Sequence, residues 1–312
     1  MNVAGVVVNY NARDYLLRCV ESLLSEGVEG VVVVDNGSSD GSEAALAEAF
    51  PEAKWASTGS NIGYGAAANH GAAVVSSDYL LVCNADIVLG EGAVAALVEL
   101  LERRPEVAVV GPLIVDATGR LYPSARRFPD LLEAFGHGIV GQFWPGNPFS
   151  RRYTMAEWDH AGARLVDWVS GSCFLARREA WEAVGGFDSS YFMYMEDVDL
   201  CWRLRQAGWE VAYEPGARVT HVQGVSADRH PYRMLLAHHV SMWRFAWRTT
   251  EGRARWLLAL VLPGLGARLA LTALRRWLAG ARAAAAGGTR LQAGTRATVP
   301  GGVRSQAGRQ SG

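Results

Sequence analysis

Residues 79–86 read YLLVCNAD. The run from Tyr79 to Cys83 is continuously apolar, the character of a strand covered on both faces. It ends on Asn84, Ala85 and Asp86, and a carboxylate at the end of a buried strand needs a partner. Two earlier stretches repeat the pattern: VAGVVVNY (3–10) leads into Asn9 and Asn11, and GVVVVDNGSSDGS (30–42) ends its apolar run on Asp35 and Asn36. Helical patterns fill the gaps, over 14–26 with apolar Leu16, Leu17, Val20, Leu23 and Leu24, over 42–50, and in the alanine-rich NIGYGAAANHGAAVVSS (61–77). A helix near 93–103 and the strand VAVVGPLIVD (107–116) follow. This alternation predicts an α/β chain with a mostly parallel central sheet and helices on both faces. Ligands of such sheets bind beyond the carboxyl ends of the strands, where Asn9, Asp35, Asn84 and Asp86 collect.

The chain has 312 residues, half of them apolar, enough for one large domain with an appendage. Its formal charge of -1 hides an asymmetry: residues 251–312 hold ten arginines and one acid, Glu251, whereas residues 1–250 hold 20 basic and 30 acidic residues. Residues 256–280 are the most apolar stretch, but Pro263, Gly264, Gly266 and Arg268 interrupt them, so an interfacial helix pair is expected there in place of a spanning helix. The Ala/Gly/Arg/Gln-rich remainder is low in complexity and expected to be disordered. A basic arm beside an apolar segment, without interleaved aromatics, fits a membrane surface and not nucleic acid. Cys19, Cys83, Cys173 and Cys201 show no metal or disulfide spacing and read as reduced core residues. No basic and apolar export signal opens the sequence, so a cytoplasmic location at the inner face of the plasma membrane is expected.

Periodicity weakens from Phe128 to Asp167, which reads as a long loop or lid. It returns with a strand over 172–176, a short helix over 178–184, a helix in MEDVDLCWRLRQAG (195–208), two short strands, EVAYEP (210–215) and RVTHV (218–222), and a long helix over 231–248. Two constellations carry chemistry. Asp86, with Asn84 two residues before it, offers hard oxygen ligands to a divalent cation that also binds phosphates. Glu196, Asp197 and Asp199 crowd a helix start, where carboxylates are favoured by the macrodipole, and one of them is placed to accept a proton from a hydroxyl.

The segments VVVNYNARDYLLRCVESLL (6–24), VVVVDNGSSDGS (31–42), NIGYGAAANHGA (61–72), YLLVCNAD (79–86) and GGFDSSYFMYMEDVDLCWRLRQAGW (185–209) stand in the order and spacing of family 2 glycosyltransferases. The chain resembles that family over about residues 1–245, and within it the bacterial rhamnosyltransferase branch. The resemblance implies the GT-A nucleotide-diphospho-sugar transferase fold over 1–250, followed by a membrane-associating helical segment (251–281) and a basic tail (282–312). It implies an inverting transferase that moves L-rhamnose from dTDP-rhamnose to a GlcNAc-diphosphoryl-polyprenol acceptor in cell-wall linker or surface polysaccharide synthesis. It also implies roles. Asp35 would bind the pyrimidine base, with Asn9, Asp40, Asn61, Gly63, Asn69 and Asn84 around the nucleotide sugar. Asp86 and His221 would hold Mg²⁺ or Mn²⁺, with Asn84 standing where the family carries the first Asp of its DxD motif. Asp197 would be the catalytic base, with Glu196 the local alternative. Trp168, Ser170 and Gly171 would meet the acceptor sugar, and Arg229, His230 and Arg233 its diphosphate. Two alternatives stay open: another nucleotide sugar or a polysaccharide acceptor, and a non-catalytic nucleotide-sugar-binding protein.

Overall fold

The computed structural model describes residues 2–128, 141, 144, 146–155, 157–222, 231–252 and, discontinuously, 255–278. The first half alternates as expected: β1 (Val3–Asn9), α1 (Arg13–Ser25), β2 (Gly30–Asp35), α2 (Ser42–Ala49), β3 (Lys54–Ser57), α3 (Tyr64–Val74), β4 (Tyr79–Asn84), β5 (Ile87–Leu89), α4 (Ala93–Arg103) and β6 (Val107–Val115). The second half adds β7 (Leu121–Tyr122), β8 (Ala125–Arg126), α5 (Pro148–Tyr153), β9 (Arg164–Val166), β10 (Trp168–Val169), β11 (Cys173–Arg177), α6 (Arg178–Ala183), α7 (Glu196–Gln206), β12 (Glu210–His221) and α8 (Pro231–Thr249).

The main sheet runs β3, β2, β1, β4, β11, β6, β12, β5, with β7 on β6 and β9 on β12. Six of those eight strands point one way, and β11 and β5 run against them. The continuous apolar runs explain the placement, because both faces of the central strands are covered. Val6, Val8, Val32, Val34, Leu80 and Val82 enter the core on one face, and Val7, Val31, Val33, Leu81 and Cys83 enter the other. All four cysteines are buried and unbridged. On one face α3 lies close against β1 and β2, since a Cβ on Gly71 would stand 2.5 Å from Val6 and 2.6 Å from Val34.

Two sequence expectations need correction. The two short strands over 210–222 are one strand, β12, pairing in parallel with β6 on both sides of a register shift between Glu214 and Arg218. Pro215 and Gly216 are absorbed as an irregularity in the strand instead of ending it, and the Gly216 N–H donates to Glu214 Oε1 at 2.8 Å. The stretch from Phe128 to Asp167 is not all loop: Asn147 caps α5, accepting from the Ser150 N–H at 3.0 Å just before Pro148, a start signal that weak periodicity concealed. Residues 1–268 form one compact unit and residues from 269 onward a second. Among the described residues no helix is long and apolar enough to cross a membrane.

Gly71→Ala improves helix propensity by about 1 kcal/mol, but crowding two fully buried valines costs about 1–3 kcal/mol. The net expectation is a lower urea midpoint with an unchanged slope. A midpoint equal to or above that of the parent would show that α3 can lift off the sheet without cost.

Candidate active site

The parallel register aligns the carboxyl ends of the central strands. Asn9 of β1 lies opposite Asp35 of β2, and Val8 lies opposite Asn84 of β4. The buried Asn9 amide donates to Asp35 Oδ1 and to Ser38 Oγ, both at 3.1 Å, and the Ser38 N–H donates to Asp35 Oδ2 at 3.0 Å. Next along, Asn36 ties the end of β2 to the following loop: its Oδ1 accepts from the Ile62 N–H at 2.9 Å and its Nδ2 donates to the Gly63 carbonyl at 3.2 Å. Gly63 has φ 96°, and a Cβ there would fall 2.4 Å from the Phe192 carbonyl oxygen, so only glycine lets these two backbones meet. Beyond this edge opens a cavity of about 370 Å³ that Asn36, Asn61, Gly63, Asn84, Asp86 and His221 help to line.

Asp86 and His221 are far apart in sequence and meet through the sheet. β12 pairs with β5 so that His221 faces Ile87, and the Val222 N–H donates to the Asp86 carbonyl at 3.1 Å. His221 Nε2 then lies 3.1 Å from Asp86 Oδ1 and 3.5 Å from Asn84 Nδ2, while His221 Nδ1 is buried without a hydrogen-bond partner. Two ligand atoms at about 2.1 Å from an octahedral cation, at right angles, stand roughly 3 Å apart. The spacing of the Asp86 and His221 pair suits two adjacent ligands of one octahedral cation, and its imidazole nitrogen suits Mn²⁺ better than Mg²⁺. Among the described residues no group of three or more His, Cys, Asp and Glu could hold a metal, so the remaining ligands would be phosphate oxygens and water, as is usual for Mg²⁺ in nucleotide sites.

Of the acidic pair, Glu196 belongs to the cavity lining and Asp197, the next residue, lies outside it. Tyr194 and Met195 both take left-handed backbone, φ 68° and 66°, and this strained turn starts α7 directly on Glu196 and Asp197. Glu196 lines the cavity, and its Oε2 is buried with no hydrogen-bond partner. Burial first, and the neighbouring Asp197 charge second, push its pKa up to about 8. Asp197 is oriented by backbone, its Oδ2 accepting from the Gly171 N–H and its Oδ1 from the Val198 N–H, both at 2.9 Å. Burial raises its pKa as well, against those two hydrogen bonds and the charge of Arg126. Burial pushes both carboxyls upward, and the two adjacent acids titrate as a pair, the charge of one opposing ionisation of the other.

The other expected residues divide. Ser170 and Gly171 line the cavity, whereas Asp35 and Asn9 sit at the strand ends and are outside its lining. Asp40 is occupied with helix starts, accepting from the Arg13 N–H at 3.0 Å and the Ser42 N–H at 3.2 Å. Asn69 clips a turn, donating to the Phe187 carbonyl at 2.8 Å and accepting from the Phe187 N–H at 2.9 Å. Trp168 is buried: its indole N–H donates to the Arg127 carbonyl at 2.9 Å and Arg126 stacks on its ring at 5.2 Å, so it does not offer the cavity the face expected for sugar stacking. Arg233 lines the cavity, while Arg229 and His230 lie outside the described residues. Sequence reading gave no role to Tyr122, Ser172 and Tyr194, which also line it. Tyr122 sits in a two-residue strand with no periodic signal. The aromatic run before Glu196 was the available clue to Tyr194.

A family model for "Glycosyltransferase like family 2" matches residues 2–251. An N-acetylglucosaminyl-diphospho-decaprenol L-rhamnosyltransferase of Mycobacterium tuberculosis is 39% identical over 288 residues, covering 87% of this chain and 94% of its own. The rhamnosyltransferase WbbL of Escherichia coli is 26% identical over 226 residues, covering 69% and 81%. Among solved structures, the mannosyltransferase PcManGT from Pyrobaculum calidifontis, in complex with GDP-Man and Mn²⁺, superposes with a TM-score of 0.54 at 18% identity over 91% of this chain and 80% of that one. The likeness in fold agrees with the GT-A architecture that the family resemblance implies. The chain belongs to the glycosyltransferase-like family 2.

Proposed function

We propose that this glycosyltransferase transfers L-rhamnose from dTDP-rhamnose to a GlcNAc-diphosphoryl-polyprenol acceptor at a membrane surface, with inversion at the anomeric carbon. The observation that carries the substrate assignment is the 39% identity to the mycobacterial rhamnosyltransferase over nearly the full length of both chains. The geometry supports the reaction type, because one cavity is lined by Asp86, His221 and Glu196, and Asp197, beside Glu196, is held by the N–H of the lining residue Gly171.

In this reading the nucleotide lies along the strand ends at Asn9 and Asp35, and Asn36 and Gly63 let its phosphates approach the backbone closely. Asp86 and His221 hold the divalent cation, which when bound neutralises charge on the departing diphosphate. The acceptor sugar enters over Ser170 and Gly171. Asp197 takes the proton of the acceptor hydroxyl as its oxygen bonds to the anomeric carbon, and the bond from that carbon to the diphosphate oxygen breaks with its electron pair leaving on the diphosphate. The two backbone N–H groups that orient Asp197 leave lone pairs free for that proton. Glu196, pushed up to about 8, keeps its own proton near neutrality.

The direct test is nucleotide release from a panel of nucleotide sugars with membranes carrying the GlcNAc-linked lipid, with and without Mn²⁺. Transfer from dTDP-rhamnose alone is expected, and transfer from another donor would remove the rhamnose assignment while leaving the mechanism.

Asp197→Asn should lower kcat by about 10²–10⁴-fold at every pH, with nucleotide binding retained. Near-normal turnover would exclude Asp197 as the base. Glu196→Gln should keep most activity at pH 7 and separate the two acids by pH. Ionisation of Glu196 above about pH 8 sets a second negative charge facing the donor diphosphate, so the parent's donor KM should rise from pH 7 to 9 while the variant's stays flat. Stability gives an independent readout. Folding raises the Glu196 pKa from 4.5 to about 8, so its contribution is full below about 4.5 and is lost as pH rises through about 8. The variant should therefore melt above the parent at pH 9 and gain less at pH 5.

Asp86→Ala and His221→Ala should each reduce kcat by about 100-fold or more and remove the Mn²⁺-dependent gain in dTDP affinity seen by calorimetry. A gain that survives both substitutions would place the cation elsewhere.

A further inference from the structure

Helix α8 lies on the compact unit with only part of its surface covered. Inward, the Ser241 hydroxyl donates to the Met193 carbonyl at 2.9 Å and Phe245 is buried in the core. Outward, Tyr232, Leu236, Val240 and Trp247 are 50%, 53%, 49% and 47% exposed. At 100° per residue these four and Trp243 fall within an arc of about 80°, so they form one stripe along the helix. Trp243 and Trp247 lie side by side, their ring centroids 5.9 Å apart. Arginines 233, 244 and 248 follow one border of the stripe, at about 100–160° on the same wheel. Scattered exposed apolar residues need no explanation, but a continuous stripe with tryptophan and tyrosine and an arginine border does.

We propose that this face of α8 is a docking surface for an anionic lipid bilayer. The proposal rests on the lipid-linked acceptor of the preceding section and names the surface that presents the enzyme to it, separate from the apolar segment at 256–280. Three features favour a bilayer over other occupants. The stripe combines aliphatic residues with Trp and Tyr, which settle at the headgroup boundary, and has Arg233 and Arg244 on its border, a residue type whose stem lies along apolar surface while its head reaches phosphate. Arg248 is instead engaged inward with Asp188 and Asp199. The charge is one-sided: from Pro231 to the C-terminus the sequence has thirteen arginines and a single acidic residue, Glu251. The stripe also begins at the cavity mouth, since Arg233 and Met234, next to Tyr232, line the cavity. An acceptor diphosphate held in the cavity would thus leave its polyprenyl chain at the edge of the apolar face.

The test compares the full chain with the Leu236→Asp/Val240→Asp variant, neither residue lining the cavity, and with Val74→Asp, which changes an exposed apolar residue on another helix. Thermal midpoints establish folding, and if the double variant is not folded, Leu236→Ser and Val240→Ser are used singly. Sedimentation with phosphatidylglycerol/phosphatidylcholine vesicles should show the double variant binding at least tenfold more weakly than the parent, with Val74→Asp unaffected and parental binding falling as salt rises. Turnover on a water-soluble, short-chain GlcNAc-diphosphoryl acceptor should be the same in all three. Equal vesicle binding by parent and double variant, or no binding by the parent, would overturn the proposal. So would a parental dimer that the variant breaks while vesicle binding persists, which would give the stripe to a second copy. Absence of transfer to the soluble acceptor in every protein would count against the proposed function and leave the vesicle comparison to decide the docking surface by itself.

Discussion

Gly171 is gripped from two sides, and the arrangement of the site depends on that grip. Its N–H donates to Asp197 Oδ2 at 2.9 Å, and its carbonyl accepts from the Tyr64 hydroxyl at 2.5 Å. Tyr64 opens α3, Asp197 stands in the first turn of α7, and Gly171 precedes β11, so one residue locks three segments that are far apart in sequence. A side chain there would crowd the base, since a Cβ on Gly171 would lie 3.1 Å from Asp197 Cβ. The lock joins α3, which packs on β1 and β2, to the start of α7, where Glu196 meets the cavity. It adds to the Tyr64 N–H bond to the Phe192 carbonyl at 3.1 Å, which ties the same two segments, and a transfer reaction depends on positions held to a fraction of an ångström.

The acidic pair shows which of two opposed effects prevails. A helix N-terminus favours carboxylate anions by about 0.3–1 kcal/mol, up to about 2 in partly buried sites. A shift of Glu196 from 4.5 to about 8 corresponds to something on the order of 5 kcal/mol in the other direction. Burial and the adjacent charge therefore outweigh the macrodipole, and the helix start, which would usually host two anions, holds one. The left-handed turn at Tyr194 and Met195 makes this possible by carrying the chain into α7 with Glu196 already facing the cavity.

Much of the fold was legible because apolar continuity is a strong signal. The strands at 3–9, 30–35 and 79–84 could be read as doubly covered, and their polar last residues pointed to the edge beyond which the cavity opens. Residues that depend on long-range partners were less legible. Asp40 and Asn69 sit in nucleotide-like sequence surroundings, but their hydrogen bonds go to helix starts and to Phe187, and nothing in the local sequence distinguishes a cap from a ligand. Trp168 carries the same ambiguity between stacking and packing, and the proximity of Arg126 decides it. The meeting of Asp86 with His221 needed the pairing of β12 with β5, which no periodicity announces and which the family resemblance alone brought into view.

Three carboxylates within four residues, Glu196, Asp197 and Asp199, look interchangeable in sequence, and their partners make them different. Asp199 is fully buried and meets two guanidiniums, Arg203 Nε and Arg248 Nη1, each at 2.7 Å. Removing one member of such a buried pair leaves an uncompensated charge at a cost of about 3–5 kcal/mol, so Asp199 is structural, and Arg248 carries the effect outward by pinning α8 against α7. Asp197 has only backbone donors, which fix its direction without neutralising it. Glu196 has an oxygen with no hydrogen-bond partner and answers burial by holding its proton. Anchoring, proton transfer and charge restraint thus sit side by side on one helical turn. The anchoring acid also ties α8, whose apolar stripe faces outward, to the helix that carries the proposed base.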